Sequence, residues 1–520
     1  MNFNRRQVLW AGGAIGTAAL LAACSSGSGT TQAGPGAPAG DGKPKPGGTL
    51  RIGALGRAGA ITRDPHGVQA NESDYLVLAL VFDPLVIPGA TSTTAPRLAA
   101  SWQPSADLKT WRFTLAQGAT FHDGTPVTAD DVVWSLRRLR NTPSGASRLP
   151  GVKSADSITA DGTGAVVIVT EYANAEFPLL ARFSTFVMKK DTPDDALDKA
   201  PGTGPFTLDW YRGGNARLVK NDKWYGGSAH LDAIEVTMFE TPQAMANALL
   251  AGQIDVASNA GAVAARTAEA RKDVQVLRRP NDMAMPIVMR TAPGSPFADP
   301  RVREAMRLVA DRDAMVKQVL SGYGTVANDI MGTGDPHLAK DIPQRRRDLT
   351  RARQLLTEAG FDLSRTYDLV TTEDISGLAE SATLFANQAR EAGVKIQVVK
   401  QESGAFWDKT WKTGDFYTTY WGTNDSVVFF ASKTMASEAG QNEAGWADPG
   451  FDAAYRKVIA TVDEKERATA LKELQQIQHE RSGYLLWGTA DGIDLAAAKV
   501  KGLPELAGYG RVQLENVWLS

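Results

Sequence analysis

The chain has 520 residues, of which 43% are hydrophobic and 22% charged, with a formal net charge of −2 and a single cysteine. This length is too great for one hydrophobic core and predicts roughly three domains. Nucleic acid is an improbable partner, because balanced charge offers no basic surface to phosphates. One cysteine excludes an internal disulfide and a Cys-based zinc site.

The first 23 residues have the pattern of an export signal. Arg5 and Arg6 precede an apolar run that is too short and too rich in Gly and Ala for a good membrane-spanning helix. The run ends in Leu-Ala-Ala before Cys24, which resembles a bacterial lipoprotein signal with a lipidated cysteine. The arginine pair resembles a twin-arginine signal, so the Tat and Sec routes both stay open. We predict a lipoprotein signal peptide over 1–23, a lipid anchor on Cys24, and an extracytoplasmic location at the cell surface or in the periplasm.

Residues 24–45 are rich in Gly, Ser and Pro and contain almost no large apolar side chain. Such a stretch cannot bury enough surface to fold. We therefore predict a flexible tether that keeps the following domains near a membrane.

After the tether, strand-like and helix-like runs alternate without a simple βαβ period. Runs rich in β-branched and aromatic residues predict strands over 49–55, 111–116, 165–171, 233–239, 285–290, 367–372, 395–401 and 416–421. Apolar residues at helical spacing predict helices over 241–253, 300–320, 350–360 and 463–480. An α/β protein of several lobes follows.

The stretch FHDGTPVTADDVV, residues 121–133, gathers a histidine and three aspartates. Asp123-Gly124 is typical of a turn, since glycine accepts positive φ. Thr128 is expected at the N-cap of a helix, with Asp131 at the third helical position as an imperfect capping box. These roles favour a structural interpretation over a catalytic or metal site.

No nucleophile elbow, metalloprotease motif, phosphate-binding loop or dinucleotide fingerprint occurs in the sequence. The five histidines are scattered, and none has another histidine three to five residues away. We predict that the chain is not an enzyme and has neither a metal site nor a cofactor.

Residues 96–139, PRLAASWQPSADLKTWRFTLAQGATFHDGTPVTADDVVWSLRRL, resemble the signature of the family 5 extracellular solute-binding proteins. These are the receptors of dipeptide, oligopeptide and nickel ABC importers. Further matching segments stand in family order, among them RDPH (63–66), VFDPLV (81–86), GTGPFTLDWYRGGNARLVKNDKWYGG (202–227) and TPQAMANALLAGQIDV (241–256).

The resemblance implies an α/β fold of the two-lobe periplasmic-binding-protein type II (cluster C) class, with an extra subdomain in lobe one. The implied bounds are 46–90, 201–288 and 489–520 for lobe one, 91–200 for the subdomain, and 289–488 for lobe two. Two chain crossings would form a hinge near Met289–Arg290 and Gly488–Thr489.

Ligand would bind in the interlobe cleft. In family peptide binders the ligand's α-amino group meets an aspartate of a Trp-x-x-Asp motif, after the strand that corresponds to FYTTYW. Here that motif reads Trp421-Gly422-Thr423-Asn424-Asp425, so the matching position is Asn424, a neutral amide. Asp425 supplies the charge only if the loop is shifted by one residue.

Aromatic side chains accompany this motif. Tyr420, Phe406 and Trp407 either line the cleft with Trp421 or belong to the core, and an aromatic cleft would suit sugars as well as peptides. The candidate ligand-binding residues are Trp421, Gly422, Thr423, Asn424, Asp425, Phe406, Trp407 and Tyr420.

The sequence thus predicts a receptor that binds a solute, an oligopeptide in the main hypothesis, by lobe closure without covalent chemistry. Its expected partners are the ligand, an ABC permease and ATPase complex, and a membrane reached through the lipid anchor; the chain is expected to be a monomer. The alternatives are a receptor for an oligosaccharide or metal chelate and, from another class, an exported hydrolase. Import and sensing remain open.

Overall fold

A computed structural model describes residues 43–67, 71–89, 92–182, 185–422, 425–506 and 508–520. The predicted signal peptide, the lipidation site Cys24 and all but the last residues of the predicted tether lie outside these ranges. Thr423 and Asn424 of the candidate binding site also lie outside them.

The secondary structure alternates between strands and helices along the described chain. The strands are β1 (Thr49–Leu55), β2 (Val86–Pro88), β3 (Thr94–Pro96), β4 (Ala99–Pro104), β5 (Thr110–Leu115), β6 (Ile158–Ala160), β7 (Ala165–Val169), β8 (Phe206–Arg212), β9 (Asn215–Lys220), β10 (Ala233–Phe239), β11 (Val256–Ala257), β12 (Val274–Met289), β13 (Gly324–Val326), β14 (Thr366–Thr371), β15 (Lys395–Lys400), β16 (Phe416–Thr418), β17 (Trp421–Gly422), β18 (Tyr484–Ala497), β19 (Val500–Lys501) and β20 (Trp518–Leu519). The α-helices are α1 (Glu72–Val81), α2 (Ala129–Arg140), α3 (Gly145–Arg148), α4 (Phe177–Ala181), α5 (Pro242–Leu250), α6 (Gly261–Ala268), α7 (Pro300–Val309), α8 (Arg312–Val319), α9 (Leu349–Glu358), α10 (Leu378–Glu391), α11 (Ser403–Ala405), α12 (Val427–Phe430), α13 (Pro449–Ala460) and α14 (Glu464–Arg481).

Two long antiparallel strands, β12 and β18, run through the middle of a twelve-stranded sheet. The strand order is β15-β14-β16-β12-β18-β11-β1-β10-β9-β8, while β13 and β17 pair with β18 and β12. β16 and β17 pair with β12 at residues 283–289, whereas β11 pairs with the far end of β18 at Ala496 and Leu495. The two long strands therefore connect the two halves of the sheet.

The pairing of β12 with β18 is irregular where they pass from one half to the other, with register shifts between Arg279 and Met283 and between Met285 and Pro286. Buried charge surrounds the first shift: Arg279 Nη1 lies 2.6 Å from Asp494 Oδ2, and Arg511 pairs with Asp282. Since a charge inside a protein is stable only when paired, these contacts fix the passage between the halves.

The apolar core is divided into several clusters. One lies between α2 and the antiparallel sheet β4-β5-β7-β6, where Trp111, Phe113 and Leu136 are buried. Two clusters cover the sheet half that holds β14 and β16, around Tyr484 and Trp487. Others cover β1, β10 and β11. The chain therefore builds separate packing units that β12 and β18 join.

The predicted strands over 49–55 and 233–239 are confirmed with the same bounds. The single helix over 300–320 is wrong, because Ala310 is extended (ψ 118°) and the side chain of Asp311 accepts a hydrogen bond from the Ala314 amide at 3.0 Å. Asp311 thus ends one helix and caps the next.

The single strand over 416–421 is also wrong, since β16 ends at Thr418 and β17 begins at Trp421. Both strands pair with β12, on either side of the register shift at Pro286. Pro286 has no N–H to donate to a neighbouring strand, and the register shift interrupts the pairing of β12 with β18 at this residue.

The stretch 121–133 has structural partners throughout. Thr128 caps α2 as predicted, and Asp131 completes the capping box, accepting from the Thr128 amide at 2.9 Å. His122 Nδ1 accepts from the Gly202 amide at 3.2 Å, and its Nε2 lies 3.1 Å from the Gly204 carbonyl oxygen. Two family-like segments of the sequence therefore contact each other through this histidine.

Candidate ligand-binding site

Five aromatic side chains form a continuous row, which we call the aromatic row: Tyr420, Trp407, Trp411, Trp421 and Phe430. The ring centroids of successive members lie 5.8, 6.2, 6.4 and 6.3 Å apart, with interplanar angles from 50° to 81°. Such tilted and edge-to-face pairs are favoured because the positive ring edge faces the negative ring face. The structure thus brings three predicted site residues together with Trp411 and Phe430, which sequence reasoning missed.

The row is held by the sheet on one side and by a short helical segment on the other. Trp421 lies in β17, paired with Ala284 of β12, and Trp407 lies in a π-helical turn that follows α11. Phe406 precedes Trp407 and is fully buried, with its ring 4.8 Å from that of Trp407 and 6.1 Å from that of Tyr417. Phe406 therefore supports the row from the core.

Two carboxylates accept the indole N–H groups of the row. Trp411 donates to Glu443 Oε2 at 2.5 Å and Trp421 donates to Glu443 Oε1 at 2.8 Å. Trp407 donates to Asp374 Oδ2 at 2.8 Å. The three indoles are thus fixed at their polar edge, which leaves their apolar faces for packing.

Glu443 is a carboxylate in an apolar setting. It is 0% exposed, and burial raises its pKa to about 7 although the two indole N–H groups oppose that rise. No lysine or arginine within the described ranges forms an ion pair with it. Its charge is therefore balanced by neutral donors alone.

Asp425 lies beside the row and is paired with a residue distant in sequence. Its Oδ1 accepts from Arg182 Nη2 at 2.5 Å, and Arg182, which follows α4, is 0% exposed. Burial raises the pKa of the Asp425 carboxyl, and Arg182 opposes that shift. The negative charge that the sequence suggested for a ligand's ammonium group is thus already compensated.

The face of β17 is open at Gly422, where an added Cβ would meet no described atom within 4 Å. On the facing side, Arg57 after β1 approaches Asp408 at 3.7 Å. A small cavity of about 30 Å³, enough for one water molecule, lies between Leu55 and the loop at Ile375–Ser376. Backbone and side chains from both halves of the sheet therefore meet near the row.

The described residues contain no group of three or more His, Cys, Asp or Glu side chains suited to hold a metal ion. Within the same ranges, no helix combines the length and apolar character required to cross a bilayer.

Residues 93–443 match the sequence model of the bacterial extracellular solute-binding proteins, family 5. The chain belongs to this family. Protein XP55 of Streptomyces lividans is 27% identical over 450 residues, which cover 81% of each chain. The dipeptide-binding protein of Escherichia coli K12 is 24% identical over 469 residues, 82% of this chain and 86% of that protein.

Among solved structures, AgaA from A. tumefaciens R10 in complex with agropinic acid superposes with a TM-score of 0.80 at 23% identity. The match covers 91% of this chain and 99% of AgaA. The predicted fold class, an α/β protein of the type II periplasmic-binding-protein fold, is thereby confirmed.

Family membership also confirms the predicted role of a solute-binding receptor that works outside the cytoplasm. The family consists of binding proteins. That this chain lacks catalytic activity stays a prediction.

Proposed function

We propose that this chain is a lipid-anchored receptor of an ABC importer, which binds an oligopeptide between two lobes and delivers it to a permease and ATPase complex. The observation that carries the proposal is the aromatic row, which includes Trp421 next to the uncrowded Gly422 and lies close to the contact of Arg57 with Asp408. The relative named as a dipeptide-binding protein supports a peptide as the ligand.

The lobes in this proposal are those expected from the sequence: 46–90, 201–288 and 489–520 for lobe one with its subdomain 91–200, and 289–488 for lobe two. The hinge expected near Met289–Arg290 and Gly488–Thr489 would belong to β12 and β18, and the bending would extend to Arg279–Met283, where the pairing of these strands is irregular. Ion pairs across the two parts support closure, among them Arg467 with Glu176 at 2.8 Å.

The extended peptide would lie along β17. Gly422 would leave room for the main chain of the peptide. Its side chains would contact Trp421, Trp407 and Tyr420. Phe406 would support Trp407 from the core without contacting the peptide. Thr423 and Asn424 would add polar contacts. The ammonium group would lie near Asp425, sharing that carboxylate with Arg182.

The anchor and partners complete the proposal. The signal peptide 1–23 would be removed after export by the Tat or Sec route, and Cys24 would carry the lipid. Residues 24–45 would tether a monomeric receptor that needs no cofactor or metal to bind its ligand.

Isothermal titration of the purified protein with a pool of di- to pentapeptides tests the ligand class, with an oligosaccharide panel and metal salts as comparisons. We expect heat from peptides and its loss in Trp421→Ala. The matched control is Trp210→Ala, which removes a tryptophan that is 37% exposed on β8. Folded protein that gives no heat with any class would overturn the proposal.

A receptor for an oligosaccharide or a metal chelate is the second candidate. It is favoured by the pairing of Asp425 with Arg182, since a ligand without an ammonium group would leave that pair intact. Aromatic faces also suit sugar rings. Heat from the oligosaccharides or from a histidine–nickel chelate, without heat from peptides, would select this candidate. Turnover of a peptide by the purified protein would instead indicate an exported hydrolase.

A further inference from the structure

The aromatic row depends on a single buried side chain behind it. Glu443 accepts from Trp411 through Oε2 at 2.5 Å and from Trp421 through Oε1 at 2.8 Å. Its backbone carbonyl oxygen also accepts from the Tyr417 hydroxyl at 3.1 Å. The residue therefore links two members of the row to each other and to the core.

A carboxylate suits this position for a specific reason. Each indole offers one N–H donor and no acceptor, so two indoles need two acceptor atoms side by side. Ionised glutamate supplies both. Glutamine supplies one oxygen and one NH₂ group, and that NH₂ group would face an indole N–H.

We infer that Glu443 is a positioning residue, which holds Trp411 and Trp421 in the orientation that the ligand meets. The inference rests on the proposed function, because it assumes that Trp421 contacts the ligand. The inference goes beyond the proposed function because Glu443, a residue of lobe two, would influence the affinity for the ligand without contacting it.

Protonation of Glu443 would weaken both indole contacts together, because the carboxyl group loses the charge that strengthens hydrogen bonds to each of its oxygens. Burial raises its pKa to about 7, so both forms are populated near neutral pH. The titratable groups that face it are the hydroxyls of Tyr417 and Tyr484. Positive charges also act on its neighbours: Arg290 acts on Tyr417, and Lys412 Nζ lies 5.4 Å from the Trp411 ring centroid.

The first test needs no ligand. Indole N–H signals of the ¹⁵N-labelled full chain are followed by NMR from pH 5.5 to 8.5 and assigned with single Trp→Phe variants. We expect the Trp411 and Trp421 signals to shift together with a midpoint near 7, and Glu443→Gln to abolish that shift. Asp374→Asn is the matched control, because it alters the carboxylate that accepts from Trp407 and leaves Glu443 in place.

Trp411→Phe gives an independent readout if Glu443→Gln fails to fold. It keeps an aromatic ring but removes one donor to the carboxylate, so the charged form loses support and the Trp421 midpoint moves to higher pH. An unchanged midpoint, or Trp411 and Trp421 signals that titrate independently, overturns the inference.

The second test measures binding of the peptide pool at pH 5.5 and pH 8.5. We expect Glu443→Gln to weaken binding about tenfold, the size of one lost hydrogen bond to a charged group, and to remove the pH dependence. Equal affinity of wild type and variant at both pH values overturns the inference. Absence of binding by wild type, with coupled indole titrations intact, instead contradicts the proposed function.

Discussion

Two neighbouring aspartates at the start of α2 differ sharply in what surrounds them. Asp131 is buried, and its carboxylate accepts from the Thr128 amide at 2.9 Å, the Thr128 hydroxyl at 2.6 Å and the Lys190 amide at 2.9 Å. Asp130 has a side chain that is 67% exposed, and among the described residues its one ion pair is with Lys190, at 3.8 Å. The two aspartates are adjacent in the sequence, so their different hydrogen-bond partners decide how much each one stabilises α2.

Asp131→Ala should therefore lower the free energy of unfolding by about 1–2 kcal/mol, because the capping box and the contact to the Lys190 amide are lost together. Asp130→Ala should change it by less than about 0.5 kcal/mol. Urea unfolding followed by circular dichroism measures both variants. Equal losses for the two variants would show that the position near the helix dipole, and not the buried contacts, stabilises α2.

Glu443 should make the stability of the whole protein depend on pH. Its pKa is raised from 4.5 to about 7, so the folded state binds the proton more tightly than the unfolded chain. The stabilisation that Glu443 gives to the folded state is fully present below pH 4.5 and is lost as pH rises through about 7. Its size is roughly 3 kcal/mol by linkage.

Urea titrations at pH 5 and pH 8 measure this dependence in wild type and Glu443→Gln. The variant has no ionisable group at this position, so the loss of stability between the two pH values should be smaller than in wild type. Equal losses in the two proteins would mean that other groups account for the pH dependence.

At the scale of elements, β12 and β18 pass between the sheet halves only because the backbone of β18 comes close to side chains of β12. At Gly492 of β18, an added Cβ would overlap the carboxylate of Asp282, which pairs with Arg511. This carboxylate cannot withdraw without leaving buried charge uncompensated. The absence of a side chain at this position is therefore a condition for the crossing.

Gly492→Ala should lower the free energy of unfolding by about 2–4 kcal/mol, since it combines steric overlap with disturbance of a buried ion pair. Gly164→Ala, in the turn between β6 and β7, is the control, because an added Cβ there meets no atom within 4 Å and its φ is not positive. Thermal unfolding monitored by circular dichroism compares them. Similar stability of the two variants would show that β12 and β18 can separate locally to admit the methyl group.

The sequence predicted elements well where a local pattern decides them. Runs rich in β-branched and aromatic residues identified β1 and β10, and the Thr128 cap marked the start of α2. It failed where distant contacts decide: β12 pairs with β16 at Ile287–Met289 and with β17 at Met283 and Ala284, so the predicted strand 416–421 is divided in two. The candidate site divides in the same way. Trp421 and Trp407 stand in recognisable segments of the sequence. Glu443 accepts from Trp421 and Arg182 pairs with Asp425, but no local sequence pattern indicates either contact, because folding brings the partners together.

At the scale of the whole molecule, the segment that contains α4 and the segment that follows β17 are joined by contacts of different strength. Arg182 is 0% exposed and pairs with Asp425, whose side chain is 21% exposed. The amide of Ala175 donates to the carbonyl oxygen of Ile459 at 2.7 Å. The polar part of this contact therefore combines this ion pair with that of Glu176 and Arg467, whose side chains are 16% and 21% exposed.

Replacing one partner of the Arg182–Asp425 pair should lower the free energy of unfolding more than replacing both partners together. Asp425→Asn removes the ion pair of the buried Arg182 guanidinium, and Arg182→Met removes the same pair from the side of the carboxylate. Each should lower the free energy of unfolding by about 3 kcal/mol. The double variant should recover part of the loss, giving a coupling energy of about 2 kcal/mol.

Urea unfolding of the four proteins completes the cycle, and the same cycle on Lys400 and Glu373 is the control. That pair has a similar N–O distance, 2.5 Å, but its side chains are 56% and 67% exposed, so its coupling should stay below about 1 kcal/mol. Additive losses at Arg182 and Asp425 would mean that solvent screens their charges after all. The contact between the two segments would then rest on the ion pair of Glu176 and Arg467 and on the apolar cluster that holds Leu180 and Val427.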